Sequence, residues 1–224
     1  VSGARVAPVR GPVRVGCVRC PFSRATGVTN HRRERLQGHL HELYPRALFH
    51  FDTVDNGAAG SKFAMFRLDA LLRTKPDLVF LDFLIDDEIQ GEDRETLAAY
   101  ESILSGLTYE QIPIMQVLAG VRSAQGNFWK PVAPQRLRDY LEFVSLYRTG
   151  VGESHQKLHD LIESHAFTLD DVWPAAAKYP TGIGHELIFL GLRAGFQKAI
   201  VENRSGWPPN GPAWPGHPDG RCRG

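Results

Sequence analysis

Apolar positions along the chain switch repeatedly between the period of a strand and the period of a helix. Val13 to Val18 reads as a strand, and "RERLQGHLHELYP" then sets Leu36, Leu40 and Leu43 on one helical face before Pro45 ends it. Ala47 to Val54 predicts a second strand. After the turn "DNGAAG", Phe63, Phe66, Leu68 and Leu71 or Leu72 recur at helical spacing. Leu78 to Ile85 predicts a third strand, apolar on both faces as suits a parallel strand covered from above and below. "ETLAAYESILSGL" predicts a helix, "IPIMQVLAG" a fourth strand and "PQRLRDYLEFVSLY" another helix. Glu153 to His165 predicts one more helix, and "GHELIFLGLRAGFQKAIV" closes the domain.

This alternation predicts a doubly wound α/β domain with a mainly parallel sheet. Such sheets take ligands beyond the carboxyl ends of their strands. Three consecutive predicted strands end in chemically suggestive loops: Ser23 after the first, Gly57 and Gly60 after the second, Asp86 and Asp87 after the third. In a parallel sheet all three share one rim. The plainer reading of each loop alone is a tight glycine turn and a solvated acidic strand end. The expected organisation is an extension over 1–12, the α/β domain over 13–203, and a tail over 204–224. That tail is rich in Pro, Gly and Trp; Trp207 and Trp214 give it a surface on which a protein partner could dock.

Composition narrows the function classes. The 224 residues, 42% of them apolar and 10% aromatic, suffice for a sizeable core. Twenty-six basic residues against twenty-five acidic ones leave a formal charge of +1, so no global field attracts nucleic acid or an anionic membrane. No apolar run is long enough to span a bilayer, and "VSGARVAPVRGPVRVG" lacks the apolar middle of a signal peptide. The chain starts at Val1, which fits a processed or trimmed amino end; a soluble protein is expected, with no compartment marked in these residues. Cys17, Cys20 and Cys222 make no disulfide framework. Cys17 and Cys20, with His31, His39 and His41 downstream, invite a zinc reading, but Cys17 lies in the apolar run "VRVGCV" and is expected to act as a small buried hydrophobe.

"RLDALLRTKPDLVFLDFLIDDE" resembles the helix and third conserved block of the SGNH/GDSL hydrolases, whose strand ends in Asn-Asp; Asp86 stands at the Asn position and Asp87 at the Asp position. "DNGAAGSKFAMFRL" is similar to the second block, with Gly60 as the oxyanion glycine. "PFSRATGVTN" resembles the first block, with Pro21 and Phe22 in place of Gly and Asp while Ser23 and Gly27 remain. "GIGHELI" is similar to the segment that follows the catalytic histidine. The resemblance spans about residues 13 to 201. It implies a flavodoxin-like three-layer α/β/α sandwich, Ser23 as nucleophile, a small acyl ester or acylated carbohydrate as substrate, and no cofactor or metal.

The same resemblance expects a histidine base and, three residues before it, an aspartate to orient it. Aligning "YPTGIGHELI" puts Tyr179 at the histidine and Ala176 at the aspartate; aligning "DDVWP" keeps Asp170 but puts Trp173 at the histidine. Neither register supplies an imidazole, and Asp86, once ionised, accepts hydrogen bonds where the oxyanion needs a donor. An SGNH-like chain with reduced or lost esterase activity is therefore expected, the alternative being a non-catalytic binder on the same fold. His155, His159 and His165 on the preceding segment, and His185 opening the last helix, read as surface or helix-end histidines rather than substitute bases. Asp86, Asp87, Glu88, Glu92 and Asp93 could in principle hold a hard cation, but lack EF-hand spacing and read as a solvated acidic loop. His31, Arg32, Arg33 and Arg35 form a basic cluster at a helix start, where the dipole disfavours cations and a solvated face is expected.

Overall fold

The computed structural model describes residues 12–19, 31–55, 60–90, 94–119, 135–174 and 180–202. Five strands form the sheet: β1 (Val13–Arg19), β2 (Phe49–Asp55), β3 (Leu78–Leu81), β4 (Ile114–Leu118) and β5 (Gly150–Glu153). Helices α1 (His31–Leu43), α2 (Gly60–Met65), α3 (Leu68–Arg73), α4 (Leu84–Gln90) and α5 (Arg94–Tyr109) accompany the first four strands. The carboxyl-terminal half adds α6 (Gln135–Leu146), α7 (His155–Glu163), α8 (Leu169–Val172) and α9 (Gly182–Glu202). All four strand pairings are parallel, in the order β2-β1-β3-β4-β5.

Side-chain alternation along the strands splits the core into two layers. Phe80 of β3 and Met115 and Val117 of β4 meet Leu36 and Leu40 of α1 and Ile188, Phe189, Leu192 and Phe196 of α9 on one face. Val79 and Leu81, with Ile114 and Leu118, meet Leu71, Ile103, Leu104, Leu107, Leu137 and Tyr140 on the other. This is the expected three-layer sandwich, with β3 apolar on both faces. No helix of the described residues is long and apolar enough to cross a membrane.

Three local expectations differ from the structure. The apolar run Leu78 to Ile85 is a strand only as far as Leu81; Phe83, Leu84 and Ile85 are buried in the turn into α4 and in its first residues. An unbroken apolar run reads alike as a buried strand or a buried helix start, so periodicity could not find the break. The helix expected through Phe63 to Leu72 is two short helices, and the turn between them leaves Phe66 78% exposed instead of aligned with the buried Leu71. The segment from Glu153 does form a helix, but it opens at His155, and the preceding Gly150–Glu153 is a fifth strand that the pattern missed. Its glycines carry no strand signal. They are there because α9 lies against them: a Cβ on Gly152 would stand 2.5 Å from the Leu192 Cα, and one on Gly195 would stand 1.7 Å from the Val151 carbonyl oxygen.

Cys17 packs against the core from β1 but is half-buried, not fully buried as its apolar setting predicted. Cys20 lies outside the described residues, as do residues 1–11 of the expected 1–12 extension and the whole of the expected 204–224 tail. Among the described residues no group of three or more His, Cys, Asp or Glu is placed to hold a metal.

Candidate functional site

The chain runs from β1 outward to β2, then crosses back to β3 on the other side of β1. That reversal is a topological switch point, and the crevice between the carboxyl ends of β1 and β3 is where such sheets bind ligands. Val18 pairs with Leu81 in register, so the two strands end side by side. Ser23 follows β1 but lies outside the described residues, together with Gly57, Ala176 and Tyr179. Gly60 and Asp86 are described, Gly60 opening α2 and Asp86 standing in the first turn of α4 beside Asp87.

Gly60 opens α2 with φ of 64°, in the left-handed region that suits glycine. The next amide, Ser61 N–H, donates a buried 2.7 Å hydrogen bond to Asp87 Oδ1. Asp86 and Asp87 are therefore not in a loop at the strand end. They sit in the first turn of α4, where acidic side chains suit the helix dipole, and both are buried, Asp86 to 2% exposure. This corrects the reading of a solvated acidic group; Glu92 and Asp93 lie outside the described residues.

Asp87 anchors a polar network inside the apolar layer. Its Oδ2 accepts from the Tyr140 hydroxyl of α6. The Tyr140 ring stacks on Tyr100 of α5, centroids 4.0 Å apart and planes 6° from parallel. The Tyr100 hydroxyl donates to Gln116 Oε1 at 2.8 Å, and Gln116 Nε2 donates to Thr149 Oγ1 at 2.7 Å. Ser61 Oγ donates to the Thr96 carbonyl at 3.1 Å. Arg136, 2% exposed, stands 3.7 Å from Glu88 and adds positive charge beside Asp87. Burial pushes the Asp87 carboxyl above its ordinary value of 3.8, against the lowering effect of the Tyr140 and Ser61 hydrogen bonds and of Arg136. Burial, reinforced by the negative charge of Asp87, raises Tyr100 and Tyr140 well above their ordinary value. Both tyrosines therefore stay neutral donors at physiological pH.

The opposite side of the rim is built differently. Asp170 lies exposed on α8, whose amino end is closed by a capping box between Thr168 and Asp171. Trp173, the residue at the histidine place in that register, is 3% exposed and packed into the core beneath α9. Thr181 stitches α8 to the start of α9, its N–H donating to the Val172 carbonyl at 2.9 Å and its hydroxyl to the Asp171 carbonyl at 2.6 Å. His155 opens α7 at the end of β5 and is buried, its N–H donating to Glu153 Oε1. Burial raises the Glu153 carboxyl. His185 is buried in the first turn of α9, its N–H bonded to the Thr181 carbonyl, whereas His159 is half-buried and His165 exposed. His155 and His185 are thus helix-end residues, as expected, but not surface ones. In the basic cluster, Arg35 pairs with Glu186 of α9. A shallow depression of about 780 Å³ along α6, lined by Arg138, Leu141, Glu142 and Leu146, includes none of the candidate residues.

Sequence reasoning singled out Asp86 but missed the partners of Asp87. Ser61 and Tyr140 stand 26 and 53 residues from it in the chain, and a tyrosine on an apolar helix face gives no sign that its hydroxyl is used.

No protein-family model and no curated protein matches the sequence. Solved structures do match. A two-domain esterase active on acetylated mannans superposes with a TM-score of 0.68 at 14% identity over 92% of this chain, which spans about half, 53%, of that protein's length. A lipolytic G-D-S-L family protein from Veillonella parvula gives 0.61 at 12% identity, covering 83% of this chain and 99% of that one. An acetyl xylan esterase gives 0.58 at 10% identity, covering 84% and 100%. The protein has the three-layer α/β fold of the SGNH hydrolases.

Proposed function

We propose that this chain is an SGNH/GDSL-type ester hydrolase-like protein whose serine-esterase activity is reduced or lost. The observation that supports this most is the hydrogen bond from the amide after the left-handed Gly60 to Asp87, the neighbour of Asp86, an aspartate at the place where the resemblance expects asparagine. On this reading the oxyanion site keeps its scaffold and lacks one of its donors. In such chemistry Ser23 Oγ attacks an acyl carbon, its proton passes to a base, and the carbonyl oxygen becomes an anion held by N–H donors. With Tyr179 or Trp173 at the histidine position, the hydroxyl proton has no imidazole to receive it. Loss of a triad serine or histidine costs about a millionfold in turnover. Loss of one oxyanion donor costs roughly 3 to 4 kcal/mol, and a carboxylate there also repels the developing charge.

Because one structural neighbour acts on acetylated mannans, acetylated carbohydrate and short-chain esters are the substrates to try first. The test is turnover of short-chain nitrophenyl esters together with fluorophosphonate labelling. Weak labelling that disappears in Ser23→Ala, and turnover raised about a hundredfold in Asp86→Asn, are expected for an impaired esterase. Full turnover in the unmodified protein would overturn the proposal.

A second reading, a non-catalytic binder using the same rim, draws support from Trp173: its side chain is built into the core, where it does packing rather than proton transfer. Calorimetric binding of acetylated manno-oligosaccharide that survives Ser23→Ala, with no labelling, would favour it.

A further inference from the structure

Glycine populates positive and negative φ with similar ease, so Gly60 does not choose its own conformation. Nor does α2, whose six residues are far below the length at which a helix is stable alone and whose first N–H groups lack partners within the helix. The choice must come from outside the segment. Ser61 N is part of the Gly60–Ser61 peptide, and its N–H reaches Asp87 Oδ1 at 2.7 Å. The second oxygen of the same carboxylate is taken by the Tyr140 hydroxyl. Tyr140 is itself fixed by its stack on Tyr100, which Gln116 of the sheet holds through its hydroxyl. Ser61, Asp87, Tyr100, Tyr140 and Gln116 are all fully or almost fully buried.

We propose that Asp87, gripped by Tyr140, is a positioning residue that sets the plane of the Gly60–Ser61 peptide, and with it the orientation of Gly60 at the ligand rim. Its consequence for catalysis rests on the reading of Gly60 as an oxyanion donor; its structural content does not. The bridge joins α2 to α4 and α6, so the turn takes its geometry from the second layer of the core. Removing the carboxylate frees the peptide to rotate and leaves the Tyr140 hydroxyl without its acceptor.

Amide hydrogen exchange of the full chain, read by NMR at Ser61, tests this without requiring turnover. In Asp87→Ala the Ser61 amide is expected to exchange at least tenfold faster, and in Tyr140→Phe severalfold faster. Asp87→Asn keeps an acceptor for Ser61 and can donate to the tyrosine oxygen, so it should restore most of the protection. Leu40→Ala, a core truncation on the other face of the sheet from the bridge, controls for lost global stability and should change Ser61 no more than the amides of β3 and β4. Ser61 exchange that follows global stability alone in every variant overturns the proposal. If Asp87→Ala fails to fold, Tyr140→Phe decides, and unchanged Ser61 exchange there is equally fatal. Where the unmodified protein turns over a nitrophenyl ester, the same variants should lower kcat more than they raise KM; absence of turnover marks the activity as lost, while the amide result still judges the bridge.

Discussion

The two sides of the rim are fixed by different physics. On the Gly60 side, buried polar atoms reach across four helices, and each donor or acceptor depends on a partner far away in sequence. On the α9 side, shape dominates: the helix lies so close to β5 that Gly152 and Gly195 leave no room for a Cβ. A polar bridge fixes the direction of a peptide, whereas close backbone contact fixes only the distance between two elements. The Gly60 side has the bridge, and the α9 side keeps close packing, with Trp173 in the core.

Substitutions at glycine should expose the contrast most strongly. Gly195→Ala puts a methyl group into the Val151 carbonyl and should cost about 3 kcal/mol in a urea titration, since neither backbone can move without the other. An unchanged midpoint would mean that α9 does not lie so close to β5. Gly60→Ala should cost about 1–2 kcal/mol through left-handed strain. A larger loss of ligand binding or ester turnover than of stability would place Gly60 in the site itself.

The pH dependence separates two aspartates. Burial holds Asp87 above 3.8, so the native state keeps that proton more tightly than the unfolded chain does. Its contribution is full below 3.8 and is lost as pH rises through the raised native value. Asp171 runs the other way: hydrogen bonds from the Thr168 hydroxyl and N–H lower it, so its contribution is present above 3.8 and is lost as pH falls through the lowered value. Urea midpoints across pH should lose the first dependence in Asp87→Asn and the second in Asp171→Asn; exchange of the two outcomes would refute the assignment. The smallest effect is expected at Gly38, on an open face of α1, where Gly38→Ala should stabilise by about 0.5–1 kcal/mol through helix propensity.

Most elements were legible because apolar period survives burial. Leu36, Leu40 and the strand residues Val79 to Leu81 sit in the core where their spacing put them. The failures differ in cause. Leu78 to Ile85 hides a strand end and a helix start inside one apolar run, where periodicity cannot mark the break. Gly150–Glu153 is a strand that fits closely against α9, a neighbour distant in sequence, so no local pattern could record it.

Sequence alone determined the alternation of strands and helices that sets the carboxyl ends of the strands on one rim, and it puts Tyr179, Trp173 and Asp86 where the resemblance expects other residues. These follow from residue identity and short-range spacing, which a linear chain displays directly. Only the tertiary structure decided that Asp87 grips the turn after Gly60, that Tyr140 grips Asp87, and that α9 rests on the glycines of β5. Each of these joins residues that a folded core brings together, and a hydrogen bond or a backbone contact exists only once both partners are in place.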